Sequence, residues 1–250
     1  MRPMLATLLA SSTLALPLPQ RATAAASALV KSFTRREAII AGGGAAVGFA
    51  AGRLSNNAFV FYATASDLPS SFISTQQTIA GQVISVADGD TIRVRHNPYP
   101  WPLPAPSPKG KKSATTIAVR VIGVDAPEIG KFGSESQPYA EEAKAYATNQ
   151  LLNKRVRVRC VAKDRYGRLV AEVKFGPLAS NDLSNGLLRR GLAVVYRGRD
   201  ASYSKEERER WDNLESTAQK QRKGMWRDGV DSVQLPSEYK KKAKARAKKG

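Results

Sequence analysis

From about residue 78 the chain alternates apolar and polar positions with a period of two. The pattern runs through TIAGQVISV (78–86), DTIRVR (90–95) and TIAVRVIGV (116–124), where Ile117, Val119 and Val121 share a face. It returns in RVRVRC, with Val156, Val158 and Cys160 on one face, and in LVAEVKF, with Leu169, Ala171, Val173 and Phe175. This period predicts half-buried antiparallel strands. Between the third and fourth strands the period changes to that of a helix. Ala140, Ala143, Ala147 and Leu151 form a stripe over about 138–152, and Pro138 suits a first helical turn. A short helix is predicted over 181–190, capped by Gly191. A longer helix follows, with Ser204 and Glu207 as a capping box, Trp211, Leu214 and Ala218 as its apolar stripe and Gly224 as its terminator.

Five strands interrupted by one helix and closed by two more predict an α+β domain over about 78–230, with a five-stranded OB-type barrel and about three α-helices. The flanks read differently. Residues 1–65 hold six Lys/Arg and one acid, Glu37, in an Ala/Ser/Thr/Leu-rich background, the composition of a targeting presequence. Within it, 1–34 is transit-like. Residues 35–65 resemble a twin-arginine signal, with Arg35-Arg36 before AIIAGGGAAVGFAAG and a cleavage-type Ala63-Thr64-Ala65. The expectation is a plastid protein, possibly of the thylakoid lumen; a mitochondrial, secretory or uncleaved membrane-anchoring leader is the alternative. Residues 66–77 read as a linker, and 231–250 as a disordered basic tail.

Charge narrows the function. The 250 residues carry a formal +19, and residues 66–250 retain 34 basic against 20 acidic side chains. This excess favours a polyanionic partner, nucleic acid before membrane, because no basic helix with a strongly apolar face is evident. No obligate protein partner is evident, and membrane anchoring would require an uncleaved leader. Cys160 is the only cysteine and His96 the only histidine. Disulfides, cysteine-based zinc cages, histidine-dependent triads and two-histidine metal sites are therefore excluded. Chemistry is left to carboxylates, arginines, lysines, tyrosines and a hard metal ion.

Two carboxylates, Asp88 and Asp90, flank one glycine in VADGDTIRV. Alone, the Asp-Gly pair reads as a hairpin turn in which glycine takes positive φ. Together with RVIGVDAPE (120–128) and DRYGR (164–168), in this order, it resembles the staphylococcal nuclease family, over about residues 78–228 and including LLRRGLAVVY and the terminal GMW. The resemblance implies a Ca²⁺ ion held by Asp90, Asp125 and the Ala126 carbonyl, with Asp88 nearby. Such hard oxygen donors suit that ion. It further implies that Glu128 is the general base or water-positioning group, and that Arg120 and Arg168 pair with the phosphate as charge develops. Arg165 and Tyr166 would flank the bound nucleotide. Two pocket tyrosines of the family have no clear equivalents after RRGLAVVYRG, where Tyr196 stands one position off, and Ala126 replaces a threonine.

The implied activity is Ca²⁺-dependent hydrolysis of DNA and RNA with little sequence preference, leaving 3′-phosphate and 5′-hydroxyl ends. The alternative is a catalytically inactive nucleic-acid-binding module of the same fold. One feature is additional: in 97–112 proline falls at every second residue from Pro98 to Pro108. This predicts an extended insertion that grips nucleic acid beside the active site, or a tolerated loop or protein docking site.

Overall fold

The computed structural model describes residues 60–99, 103–130, 135–198 and 200–247, with side chains through 241. Strands β1 (Thr78–Asp88), β2 (Thr91–His96) and β3 (Ile117–Val121) form an antiparallel meander. After a two-residue β4 (Val124–Asp125), helix α3 (Ala140–Leu151) leads into β5 (Arg155–Lys163) and β6 (Leu169–Phe175). The strand order β3-β2-β1-β5-β6 closes on itself through a parallel β3–β6 pairing, in which Arg120 sits opposite Val170. The result is the expected five-stranded barrel. Two short helices, α1 (Ser70–Ser74) and α2 (Lys112–Thr115), precede α3, and a two-residue β7 (Asn181–Asp182) extends the sheet beyond β6. Helices α4 (Leu183–Arg189) and α5 (Lys205–Lys220) flank a short β8 (Val194–Val195), which pairs with β4.

The period-two residues fill the barrel as their spacing requires. Val83, Ile92, Val94, Val119, Val158, Leu169 and Val173 are fully buried, each worth about 1.5–3 kcal/mol for side chains of this size. The alanine stripe of α3 packs on β1, so the barrel wall behind the Asp88–Asp90 turn is lined by small side chains. In α5 the capping box is reciprocal, with the Glu207 N–H donating to Ser204 Oγ at 3.1 Å and the Ser204 N–H to Glu207 Oε2 at 2.9 Å. Trp211 of α5 is fully buried and lies against Gly123, whose φ is +74°; a Cβ there would meet the indole at 2.1 Å. Both conformation and space therefore require glycine at 123.

Four expectations need correction. Gly89 does not adopt positive φ. Its role is room: a Cβ would lie 2.8 Å from both Ala126 Cβ and Ala143 Cβ, so glycine lets the acidic turn close onto the 125–128 segment. The supposed linker is part of the fold. Residues 65–67 form a 3₁₀ turn and α1 packs on β5, burying Ala65, Leu68 and Phe72. Tyr62 is buried with them, edge-on to Phe72 at 5.4 Å, and its N–H donates to His96 Nδ1 at 3.1 Å. Cleavage after Ala65 would remove these contacts; the rest of the expected presequence, 1–59, lies outside the described residues.

The proline-rich stretch leaves β2 at His96 and returns to β3 at Ile117. Those are the strand ends opposite Thr91 and Arg120, about 17 Å along the barrel wall at ~3.3 Å per residue, so the stretch starts and ends away from the acidic turn. Residues 100–102, which include Trp101, lie outside the described residues. Finally, the tail is helical, as α6 (Pro236–Ala247). Its Ala/Lys/Arg composition favours helix, and the Tyr239 hydroxyl anchors it by donating to the Glu135 carbonyl at 2.6 Å.

Candidate active site

The turn after β1, the β3–β4 connection and the β5–β6 turn meet at one end of the barrel. Register shifts in β1 at Val83/Ser85 and Val86/Asp88 re-aim its last residues, a common use of irregularity next to functional sites. Parallel closure of β3 on β6 brings Arg120 alongside the turn that carries Arg168. A cleft of about 1140 Å³ opens there, lined by Asp88, Arg120, Asp125, Glu128, Arg168 and Tyr196 among others.

Arg120 is the hub. Its guanidinium reaches Asp90 Oδ2 at 3.2 Å and Asp125 Oδ1 at 3.0 Å, with only 12% of the side chain exposed. Burial alone would disfavour its charge, but Asp90 and Asp125 outweigh it and hold the group above the ordinary arginine range. Asp90 is itself buried. It accepts from Thr91 Oγ1 at 2.9 Å and from the Ala126 N–H at 3.3 Å, and Arg120 keeps its carboxyl below the usual range against the pull of burial. Asp88 behaves oppositely. Burial first, and the adjacent Asp90 charge second, push it upward, and its Oδ1 is buried without a hydrogen-bond partner among the described residues. The turn therefore carries more negative potential than the two acids can both express.

Glu128 stands three residues beyond Asp125, where Gln137 fixes its backbone. The Glu128 N–H donates to Gln137 Oε1 at 3.2 Å and the Gln137 N–H donates to the Glu128 carbonyl at 2.9 Å. Arg168 is oriented by Asp164, whose Oδ2 accepts from Nε at 2.7 Å, and its Nη1 donates to Thr91 Oγ1 at 3.3 Å. Asp164 also accepts from the Tyr166 and Arg168 N–H groups at 2.9 Å each, so DRYGR is a turn built to aim one arginine. Tyr166 is 64% exposed, with Arg165 and Arg168 against its ring. Tyr196 leaves β8 next to the site. Its ring lies 5.0 Å from the Arg120 guanidinium carbon and its hydroxyl donates to Asp200.

Eight of the ten expected residues line one cleft, and the other two, Asp90 and Ala126, are buried beside it, Asp90 against Arg120 and the Ala126 N–H against Asp90. Sequence reasoning missed Thr91, Asp164 and Gln137, which act on their neighbours. It also missed Lys240. This lysine of α6 places its ammonium 2.7 Å from Asp125 Oδ1 and 2.9 Å from Glu128 Oε1. Burial opposes its charge, but Asp125, Asp90 and Glu128 outweigh it, keeping it protonated above the ordinary lysine range. Only the i, i+4 spacing of Asp164 and Arg168 was visible locally; Lys240 is 115 residues from Asp125.

Among the described residues no three acids form a ready-made metal cage. The site nonetheless fits a hard cation. Its acidic donors, Asp88, Asp90, Asp125 and Glu128, are all oxygen, Asp88 has an orphaned buried oxygen, and a cationic ammonium already bridges Asp125 and Glu128.

Comparison with known proteins is consistent with this geometry. The model of the family described as staphylococcal nuclease homologue matches residues 118–228. Endonuclease Htp3 of Saprolegnia parasitica is 39% identical over 183 residues, covering 73% of this chain and 85% of that protein. A probable endonuclease, LCL3, of Komagataella phaffii is 36% identical over 192 residues, covering 73% and 83%. The probable endonuclease C19F8.04c of Schizosaccharomyces pombe is 35% identical over 194 residues, covering 71% and 84%.

Proposed function

The chain belongs to the staphylococcal nuclease homologue family, and on that premise we propose that it is a Ca²⁺-dependent nuclease hydrolysing phosphodiesters of DNA and RNA to 3′-phosphate and 5′-hydroxyl ends. The observation that carries this reading is the convergence of Arg120, Asp90, Asp125, Glu128 and Arg168 at one mouth of the barrel.

Asp90, Asp125 and the Ala126 carbonyl would hold Ca²⁺, with Asp88 close by. The ion would supply charge neutralisation at a phosphate oxygen. The remaining work belongs to the protein. Glu128, backed by Gln137, takes a proton from water or orients it for in-line attack on phosphorus. Arg120 is held by two carboxylates, so little further ordering is needed for its remaining N–H groups to meet a phosphate. Arg168, set by Asp164, approaches from the β5–β6 turn. Two such donors aimed at developing charge are typically worth ~2.7–4 kcal/mol each. Tyr196 and the exposed Tyr166 present ring faces at the rim where a base would lie.

The test is cleavage of plasmid DNA and of a structured RNA by the full chain with Ca²⁺ and with excess chelator, alongside Asp90→Asn. Asparagine keeps the volume and much of the hydrogen bonding of a buried partner of Arg120. Ca²⁺-stimulated cleavage lost in Asp90→Asn is the expected result; cleavage equal in chelator, or in the variant, would overturn the assignment. Localisation to plastids remains our proposal from the composition of residues 1–65. An N-terminus mapped on protein from isolated organelles tests it, and a protein recovered only from another compartment would refute it.

A further inference from the structure

The outer face of the barrel carries a row of cations, of which Arg93, Arg95 and Arg157 belong neither to an ion pair among the described residues nor to the active site. In β2 the inward positions are Ile92, Val94 and His96, and the outward ones Thr91, Arg93 and Arg95. In β5 the outward positions are Arg155, Arg157 and Arg159. Registry sets them side by side. Thr91 pairs with Arg120 at the active site, Arg95 and Arg155 flank Gln82 of β1 from either side, and Arg157 lies between Ala80 and Lys174. The row thus starts at the catalytic mouth, runs along β2 and crosses β1 to β5. Four residues of β2 and two strand spacings make it roughly 20 Å long.

Three features separate this row from an ordinary solvated surface. First, residues 91–124 contain no Asp or Glu, and neither do 153–163, so both strands are acid-free. Among the described residues Arg93, Arg95 and Arg157 make no ion pair, whereas Arg159, at the end of the row, is held by Glu172 at 2.9 Å and Glu207 at 2.7 Å. Second, Arg157 stands directly opposite Lys174 on the paired strand, where only Lys174 has an acid, Glu172 at 3.3 Å, and among the described residues Arg95 Nε is a buried donor without a partner. Third, the residues between the cations are small or neutral, Ala80, Gln82, Ser85 and Ala118, leaving room for a chain to lie close. The proline-rich stretch is fastened to the row. Arg155 donates to the Tyr99 carbonyl at 3.1 Å, and beyond the stretch, at the entry to β3, Arg93 donates to Thr116 Oγ1 at 3.4 Å.

We propose that this face is a second binding site, for the phosphodiester backbone of an extended single strand that continues from the scissile phosphate. Its length suits on the order of four to six nucleotides at ~3.4 Å or more per phosphate. The inference rests on the nuclease reading for what occupies the mouth, but its binding test does not require catalysis.

The experiment uses the full chain and the triple variant Arg93→Gln/Arg95→Gln/Arg157→Gln, none of which touches the catalytic cluster. Fluorescence anisotropy with a labelled oligothymidine of about fifteen residues, in chelator, gives Kd against salt. Each lost phosphate contact removes about 0.7 from the slope of log Kd on log salt, so the slope falls by about 2 and Kd rises about 100-fold near 0.1 M salt. In Ca²⁺, hydrolysis of a dinucleotide stays within about twofold of the parent. Arg157→Gln alone, at an exposed position, lowers the slope by about 0.7 and serves should the triple variant fold poorly. An unchanged slope overturns the proposal, as does tighter binding to vesicles containing phosphatidylserine than to the oligomer. Equal affinity for a duplex of the same length overturns the single-strand assignment. A parent chain that binds the oligomer with the expected slope yet cleaves nothing refutes the nuclease reading and supports this one.

Discussion

Replacing Lys240 by alanine should tighten the binding of Ca²⁺. The Lys240 ammonium occupies the gap between Asp125 and Glu128 at 2.7 and 2.9 Å, where a cation shared by these carboxylates would compete with it. Hydrogen bonds to charged groups are worth ~1.5–3 kcal/mol. A third of this side chain is exposed, and seating α6 orders its backbone, so solvent screening and entropy reduce the net to ~1–2 kcal/mol. Bound Ca²⁺ must displace that contact. Its removal therefore lowers Kd by about 5- to 30-fold, at ~1.4 kcal/mol per factor of ten. Calorimetric titration of the full chain with Ca²⁺, without nucleic acid, reads this directly. Lys240→Arg keeps a cationic competitor and should stay near the parent value. A Kd within twofold of the parent in Lys240→Ala would show that α6 does not occupy the site in solution, and a weaker Kd would make Lys240 a supporter of the metal.

Arg120→Lys should lower kcat by about 10²-fold or more although the charge is kept, because an ammonium cannot bridge Asp90 and Asp125 while presenting a fork to phosphate; turnover within twofold would remove Arg120 from the chemistry. His96 is buried and its pKa is pushed down to about 4 by burial, so the folded state favours neutral imidazole and stability falls as pH drops from about 6.5 towards 4. The stability difference between the parent and His96→Gln should shift by about 1.6 kcal/mol between pH 6.5 and 5 in urea unfolding, and parallel curves would refute it. A chain starting at Ser66 loses buried Tyr62 and Ala65 and should be about 3 kcal/mol less stable than one starting at Val60; equal midpoints would show that the Tyr62–Phe72–His96 contact contributes nothing.

The barrel was legible because inward residues recur with period two in five strands, interrupted only by local register shifts, and the alanine stripe of α3 because its spacing has no strand equivalent. The grouping of Asp90, Asp125, Glu128, Arg120 and Arg168 was implied by the family resemblance that three short motifs carry. What stayed hidden depends on contacts between distant segments. Lys240 sits in a run of lysines that differ only in where the fold puts them. Tyr62 lies in an apolar run that reads equally as the end of a leader. Gly89 looked like a turn glycine because an Asp-Gly pair cannot show that Ala126 and Ala143 would crowd a Cβ. The place of the proline-rich stretch depended on strand direction: antiparallel β2 and β3 put their connection at the end away from Asp90. Burial also changes how acidic variants should be read. Asp90 is a buried partner of Arg120, so Asp90→Ala would strand a buried guanidinium and confound loss of activity with loss of stability.

The packing of Trp211 on Gly123 gives the molecule an optical gauge of its own chemistry. The indole lies under the connection between Arg120 on β3 and Asp125 on β4, fully buried, with its Nε1–H donating to Asn185 Oδ1 at 3.0 Å and Tyr203 edge-on at 5.2 Å. Any displacement of that connection as Arg120 and Asp125 exchange partners alters the polarity and quenching around this ring. With Trp101 and Trp226 replaced by phenylalanine, emission comes from this one residue. Cation binding and phosphate release could then be followed in stopped flow as separate intensity changes, without a dye or a labelled substrate.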